Sequence, residues 1–191
     1  MARYVVGPDV EERLKLIDHT ASLPGKIAAA EAAIDEHCGR VFDVASGSPV
    51  ARTVFVEEPS RYVWVPDFVV STAEVVEEWS GTAWVELARD TDYWLLPEDR
   101  LHGGEAWPVE QLRFEQPFSG RLRITALFGW PATPPAVVEA TMLHAAKLLS
   151  RNDSPQGTLG VSGFGTVTRV VSGLDRDAAT LLTKYVVDLP S

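Results

Sequence analysis

The chain has 191 residues, 46% hydrophobic and 23% charged, so it is long enough for one or two compact domains with a buried core. Its formal net charge is −10, and residues 57–116 carry the imbalance with 14 acidic and four basic residues. An acidic surface disfavours tight nucleic-acid binding, because phosphate contacts need Lys and Arg. The single cysteine, Cys38, excludes an intrachain disulfide and a cysteine cage for a metal. Because no apolar run resembles a signal peptide or a membrane span, we expect a protein made in a reducing cytosol.

Two helices are predicted in the first 40 residues. In "PDVEERLKLIDH", Asp9 is followed three residues later by Glu12, which is a capping-box arrangement. Over residues 26–38, apolar side chains recur at intervals of three or four, so they share one helical face. Gly39 then predicts the end of this second helix, because glycine readily adopts the left-handed conformation that follows a helix.

From about residue 50 the sequence consists of short β-branched and aromatic segments separated by turn residues, which predicts antiparallel hairpins. The segments are "ARTVFVEE", "RYVWVPDF", "STAEVVEEW", "AWVELA", "DYWLLP", "QLRFEQ" and "RLRITALFG". Five of the six tryptophans lie in this section, and we expect them to fill a thin core. In the alternative interpretation, the same rings form an exposed platform on which sugars stack. These residues are Trp64, Trp79, Trp84, Trp94 and Trp107.

A third helix is predicted from about residue 135 to residue 151, after the sequence "FGWPATPP" and the strand–helix junction residue Trp130. Its apolar arc is unusually wide, and a helix of that kind is covered on more than one flank. We therefore expect a neighbouring subunit to cover part of it. The residues of this predicted subunit interface are Val138, Met142, Ala145 and Leu149.

Residues 152–173 are rich in glycine and include "GTLGVSGFG", but they match no phosphate-binding loop. Gly165 is followed by Thr-Val-Thr-Arg, where a Walker loop needs Lys and then Ser or Thr. A dinucleotide fingerprint would need glycine in place of Thr168, and Phe164 occupies the last position of a Gly-x-Ser-x-Gly elbow. A last helix is predicted in "SGLDRDAATLLTKYVV", with an apolar stripe of Leu174, Ala178, Leu181 and Tyr185.

Titratable residues give no defensible catalytic or metal site in the sequence. None of the four histidines has a partner at the i, i+4 spacing of a helical zinc site. Adjacent acids such as Glu77 and Glu78 point to opposite faces of a strand, so they cannot share a catalytic cleft. We expect no enzyme activity, no metal and no cofactor. A small hydrolase that uses clustered carboxylates is the weaker alternative.

Two segments together resemble the head–tail connector, or adaptor, proteins of tailed bacteriophages. They are "AAIDEHCGRVF" at residues 32–42 and "LFGWPATPPAVVEATMLHAAKLLSR" at residues 127–151, followed by the glycine-rich segment and a short helix. The resemblance covers roughly residues 8–45 and 119–187. It implies an α+β fold with a helical connector core: two N-terminal helices, one long helix and one C-terminal helix. An antiparallel β section at residues 50–126 would be inserted between core segments 1–49 and 127–191.

The resemblance also implies a function, which is to join the portal to the stopper or tail-completion protein in the neck of a virion. Such subunits form a ring, usually of twelve copies, through which DNA passes without sequence-specific binding, and no membrane is involved. Connector subunits have segments that become ordered on docking, and the glycine-rich segment fits that description. Its docking residues would be Leu159, Val161, Phe164, Val167, Arg169 and Val170. The rival interpretation is a carbohydrate- or protein-binding module that uses the tryptophan-rich β section.

Overall fold

The structure is a computed structural model, and it describes residues 3–5, 12, 23–150, 158–160, 167–169 and 173–187. The chain forms two compact units, one of residues 1–42 with 133–191 and one of residues 43–132. The boundaries predicted at residues 49/50 and 126/127 both fall inside the second unit. The first predicted helix lies outside the described residues except for Glu12, which is helical.

Three helices of the first unit have defined bounds: α1 at Leu23–Cys38, α2 at Pro135–Ser150 and α3 at Arg176–Leu182, which continues as a 3-10 turn at Thr183–Tyr185. The predictions of α1 and α2 are confirmed. Gly39 has a φ of 65°, so the predicted left-handed residue after α1 is also confirmed. In α3, Asp175 is the N-cap, and its carboxylate accepts hydrogen bonds from the backbone N–H groups of Asp177 and Ala178.

Helices α1 and α2 pack directly against each other. Their contact is a small core of apolar side chains, with Val138, Met142 and Leu148 partly buried at its margin. At α3 the predicted stripe is partly wrong, because Leu181 is 38% exposed whereas Leu182 is buried. The buried residues of the α1–α2 core are Val5, Leu23, Ile27, Ala30, Ala145 and Leu149.

The second unit is built on two strands of 20 residues each. They are β1 at Val50–Val69 and β7 at Val109–Phe128. Five shorter strands lie between them: β2 at Val75–Trp79, β3 at Trp84–Glu86, β4 at Tyr93–Leu96, β5 at Leu101–His102 and β6 at Glu105–Ala106. The main sheet has the order β1-β7-β2-β3, and β4 pairs with another part of β7. Beyond this unit, β8 at Thr158–Gly160 pairs antiparallel with β9 at Val167–Arg169.

The register of β1 against β7 shows how the sheet bends. Val50 lies opposite Ala126 and Val56 opposite Gly120, so partner numbers fall along β1 as they do in an antiparallel pair. The register shifts between Val56 and Ser60, and Phe68 at the end of β1 pairs with both Val109 and Phe128. Both long strands therefore curl, and they enclose an aliphatic and aromatic core of their own. Its largest fully buried members are Phe68, Leu112, Leu122 and Ile124.

The predicted fold class is wrong. We expected a helical connector core with an inserted β section, but the structure is mostly antiparallel β sheet with three helices of defined bounds among the described residues. The error begins with strand length. The predicted turn at Glu58-Pro59-Ser60, between the segments "ARTVFVEE" and "RYVWVPDF", interrupts no strand, because β1 continues through it with a shift of register. Pro59 has no N–H to donate to a neighbouring strand, and proline is tolerated where the strand pairing is irregular. The two predicted strands are therefore one long strand.

The expectation that the tryptophans fill the core of the β unit is also largely wrong. Of the five tryptophans in this section only Trp107 is buried, and Trp79 is 38% exposed. Trp64, Trp84 and Trp94 are half-buried. Aliphatic residues and phenylalanine fill the core instead, which leaves several large rings at the surface.

Candidate interaction surface on the β unit

One face of the β1-β7-β2-β3 sheet brings aromatic and charged side chains together at the surface. Residues directly opposite each other in antiparallel strands lie on the same face of a sheet. One row therefore runs from Thr53 through Arg123 and Glu77 to Glu86. A neighbouring row contains Phe55 opposite Arg121 on β1 and β7, and Trp79 opposite Trp84 on β2 and β3. We call these eight residues the outer face.

The centre of the outer face is held by an ion pair. The Nε and Nη2 atoms of Arg123 donate to the two carboxylate oxygens of Glu77 at 2.6 Å and 2.5 Å. The same guanidinium lies 4.5 Å from the centroid of the Trp84 ring, and that ring meets Trp79 edge to face at 5.3 Å. The hydrogen bond from Arg123 lowers the pKa of Glu77, and its counterpart raises the pKa of Arg123. Because Arg123 and Glu77 form a bidentate ion pair, their side chains are fixed in one arrangement before any partner binds.

The margin next to β1 is open. Phe55 is 67% exposed, and Arg121 makes no ion pair with any described residue. These two residues, with Thr53 and Trp84, line an open depression of about 400 Å³. Aromatic rings and arginine are the side chains that most often supply binding energy at protein interfaces. Exposed aromatic and guanidinium surface of this kind is suited to binding a partner.

A second polar cluster lies at the start of the β2–β4 region and has a structural role. The Glu74 side chain is only 6% exposed and accepts a hydrogen bond from Arg89 Nη1 at 3.0 Å. Burial raises the pKa of Glu74 above its ordinary value. Arg100 Nη1 donates to the backbone carbonyl of Pro97 at 2.7 Å and also to that of Glu98. The two Arg100 contacts hold the loop after β4 in place.

The strand–helix junction is built around Trp130, which is fully buried. Its indole Nε1 donates to Asp67 Oδ2 at 3.1 Å, and its ring packs edge to face on Trp107 at 4.8 Å. The backbone N–H of Trp130 donates to the Asp43 carbonyl at 2.8 Å, and Ala45 N–H donates to the Trp130 carbonyl at 2.8 Å. The junction is therefore a buried corner in which residues 43–45 pair with the end of the sheet.

Gly129 explains how the chain turns at this corner. Its φ is 126°, and a Cβ there would lie 2.5 Å from the Asp43 carbonyl oxygen and 2.9 Å from Ala45 N. Only glycine permits both the left-handed conformation and that close approach of two backbones. The "GWP" sequence singled out above thus has a physical cause in the close pairing of segments 43–45 and 129–130.

The other predicted site residues are placed as follows. On α2, Ala145 and Leu149 are buried inside the chain, so a neighbouring subunit does not reach them in this packing; Val138 and Met142 are half-buried. In the glycine-rich segment, Leu159 lies on β8, and Val167 and Arg169 lie on β9. Val161, Phe164 and Val170 lie outside the described residues.

The predicted absence of a metal site stays a prediction. Within the described ranges, no group of three or more His, Cys, Asp or Glu side chains is placed to hold a metal ion. The buried His144 accepts a hydrogen bond from Asp175 N–H through Nδ1 at 3.2 Å, which ties α2 to the start of α3. No described helix is both long enough and apolar enough to cross a membrane.

Sequence reasoning missed Phe55 and Arg121. The alternation in "ARTVFVEE" puts Thr53 and Phe55 on one face of a strand, but that pattern does not indicate which face is exposed to solvent. Arg121 becomes informative only once the register places it beside Phe55. In the sequence alone, neither residue is distinguished from the other residues of its strand.

No family model matches the chain, and no curated protein matches it. Among solved structures, the chain is similar to one described as "Neck of empty GTA particle computed with C6 symmetry". The sequence identity is 16% and the TM-score is 0.46, over 89% of this chain and 80% of the other. At this level the likeness concerns the path of the chain alone, and it carries no argument about family, activity or partners.

Proposed function

We propose that the protein is a structural subunit of a virion neck, a head–tail adaptor that forms a ring between the portal and the stopper or tail-completion protein. The observation that carries the proposal is the meeting of the two sequence segments that resemble connectors. The residues just after "CGRVF" pair with "GW" through the hydrogen bonds between Trp130, Asp43 and Ala45. Helix α1, in which the first segment begins, also packs on α2, which belongs to the second.

The proposed ring depends less on α2 than the sequence suggested. The chain itself covers Ala145 and Leu149 with α1. The half-buried side chains of Val138 and Met142 remain as the part of this helix that a neighbour can reach. The proposed subunit contacts therefore use the margin of α2 together with other surfaces.

Electron microscopy of the purified protein, alone and mixed with portal-bearing particles, tests this proposal. We expect annular assemblies in which DNA has a clear central passage. Single molecules in both samples would contradict the ring. Met142→Asp should reduce the annuli while the chain stays folded, because this side chain is half-buried. Leu149→Asp is the comparison variant, which should unfold the subunit because it buries an unpaired charge.

In the proposed role, DNA crosses the ring without being held. The net charge of −10 supports this, because tight phosphate binding needs a basic surface. We expect no salt-dependent binding of duplex DNA to the purified subunit in a filter or polarisation assay. Binding that weakens steeply with added salt would contradict passive passage. We further propose that the subunit has no catalytic activity and needs no cofactor.

A second candidate function is a carbohydrate- or protein-binding module, and the exposure of the outer face favours it. Phe55 and Trp79 present ring surface to solvent beside Arg121, which has no ion-pair partner among the described residues. Titration with glycans, monitored by tryptophan fluorescence, tests for sugar binding. A saturable shift that Phe55→Ser abolishes would favour the module over the ring subunit. Ser119→Ala, a change at an exposed position on the neighbouring strand β7, is the control and should leave any shift unchanged.

A further inference from the structure

The first half of β1 is an open sheet edge with no cover from the described chain. Among the described strands, residues 50–56 pair with β7 alone, and the order β1-β7-β2-β3 puts them at one margin of the sheet. None of these seven residues is buried, and Val50 and Phe55 are 51% and 67% exposed. An edge of this length presents a row of unpaired backbone N–H and C=O groups that can accept another strand. The segment has no proline or lysine to block such pairing.

The opposite margin of the same sheet is also open. In the part of the chain that the structure describes, strand β3 pairs with β2 alone, and Val85 on it is 45% exposed. Along the order β1-β7-β2-β3 each strand runs opposite to its neighbour, so β1 and β3 run in opposite directions. When a second copy is placed beside the first by translation in the plane of the sheet, its β3 lies antiparallel to β1 of the first copy. The alternation of strand direction then continues from one copy to the next.

We propose that the β1 edge of one copy pairs with the β3 edge of a second copy. This inference rests on the proposed ring function, because a head-to-tail contact between two different edges is the kind that closes into a ring. Backbone pairing would supply the contact, and the side chains on each face would fix which edges meet.

The side chains of the two edges are complementary on both faces. On the outer face, Arg121 beside the β1 edge and Glu86 on β3 each lack an ion-pair partner among the described residues, and the proposed pairing brings them to the same side of one sheet. On the opposite face, Val54 and Val56 of β1 meet the exposed Val85 of β3. Residues 50–56 contain a base and no acid, whereas residues 84–88 contain an acid and no base.

Charge also argues against the simplest alternative, in which two β1 edges pair across a twofold axis. That arrangement would leave each Arg121 without an acid on the partner edge, because residues 50–56 contain none. Opposite charges across a contact favour the β1–β3 arrangement instead. A continuous run of copies also requires two different edges, which the twofold contact does not provide.

Cross-linking in the full-length protein tests the pairing directly. The variant carries Thr53→Cys on the outer face of β1 and Ala88→Cys at an exposed position two residues after the end of β3, so that Glu86 is kept. The reagent is a short bismaleimide. We expect a ladder of dimers, trimers and larger species from the double variant. Each single variant and the wild type, whose Cys38 is buried, should give no ladder. Dimers from Thr53→Cys alone would indicate the twofold arrangement and overturn the inference, and so would a double variant that stays uncross-linked.

A charge exchange provides a second measurement that does not depend on cysteine placement. Arg121→Glu and Glu86→Arg should each weaken self-association on the order of tenfold in sedimentation velocity, because each puts like charges across the contact. The combined exchange should recover most of that loss. Glu115→Arg makes the same charge change at an exposed position on neither edge and should have little effect. Failure of the exchange to recover association would overturn the inference.

The outcomes separate this inference from the proposed function. Annuli seen by microscopy without a cross-linked ladder would leave the ring proposal in place and remove the edge pairing. A ladder with open filaments and no annuli would keep the edge pairing and contradict the ring.

Discussion

Two tryptophan sites in the β unit have opposite roles. At the corner, Trp130 is fully buried, its indole N–H is bonded to Asp67, and Trp107 packs on its ring. On the outer face, Trp79 is 38% exposed and Trp84 carries the Arg123 guanidinium on its ring. The same residue type therefore closes a corner in one place and presents a surface in the other. What separates them is their surroundings: Trp130 is enclosed by residues 43–45, Asp67 and Trp107, whereas Trp79 and Trp84 lie on the outer face of the sheet.

Trp130→Ala tests the corner and should have the largest effect. Removing a fully buried indole leaves a cavity and leaves Asp67 without that hydrogen bond, so we expect a loss of about 3–5 kcal/mol of unfolding free energy. Urea denaturation monitored by circular dichroism gives the value. A loss of unfolding free energy below about 1 kcal/mol would mean that the corner relaxes to fill the cavity. The tryptophan at the corner would then matter little more to stability than those on the outer face.

Gly129→Ala tests whether the backbone turn, and not only the ring, holds the corner. An added Cβ lies 2.5 Å from the Asp43 carbonyl oxygen, and the φ of 126° is unfavourable for alanine. We expect destabilisation of at least about 2 kcal/mol, seen as a lower melting temperature. Gly120→Ala is a matched control, since its φ is 118° but no atom lies within 4 Å of the added Cβ. A larger loss at residue 120 than at residue 129 would contradict the close-approach explanation.

Glu77→Gln tests the ion pair at the centre of the outer face and should have a smaller effect. Glu77 and Arg123 are partly exposed, with side chains 17% and 31% accessible, so we expect a loss of about 0.5–1 kcal/mol at neutral pH. The pKa of Glu77 is below its ordinary value of 4.5 in the folded state. The stabilisation is therefore fully present above that ordinary pKa and is lost as the pH falls through the lowered folded value.

The measurement is the difference in unfolding free energy between wild type and Glu77→Gln across acidic pH. We expect the difference to shrink as the solution is made more acidic. Glu110→Gln, at a carboxylate that accepts a hydrogen bond from Trp107 Nε1 at 3.1 Å, is a comparison variant near the corner. A difference that grows on acidification would contradict the assigned direction of the Glu77 shift.

Phe55→Ser should have the smallest effect on stability. The ring is 67% exposed, so we expect a change within about 0.5 kcal/mol in the unfolding free energy. The same variant should weaken self-association or ligand binding at the outer face. Loss of stability without loss of binding would mean that Phe55 belongs to the core of the unit and not to its surface.

The helices were predictable because local signals decide them. The apolar spacing and Gly39 predicted α1, and the prolines after "GW" predicted the start of α2. The strands were less predictable. Pro59 indicated a turn between two strands, whereas pairing with β7 on both sides of the irregularity keeps β1 continuous. The fold class failed for the same reason, because two long strands that enclose their own core make the β part the main body of the protein.

The candidate surface was predictable only in composition. The sequence supplied an excess of tryptophan between residues 64 and 107 and the wide apolar arc of α2, but it did not indicate which side chains the rest of the chain would cover. On α2, the packing of α1 covered Ala145 and Leu149, which sequence reasoning had assigned to a neighbour.

By itself, the sequence determined helices α1 and α2, that residues 50–128 form strands, and that Gly129 and Trp130 mark a junction. Those features depend on residues close together in the chain. The sequence did not determine the number or length of the strands. The tertiary structure decided which rings are buried, that Phe55 and Arg121 share one exposed depression, and that β1 and β3 are the open margins of one sheet. These depend on the register between strands that are distant in sequence, such as the pairing of Phe55 with Arg121, because each step of register carries a side chain from one face of the sheet to the other.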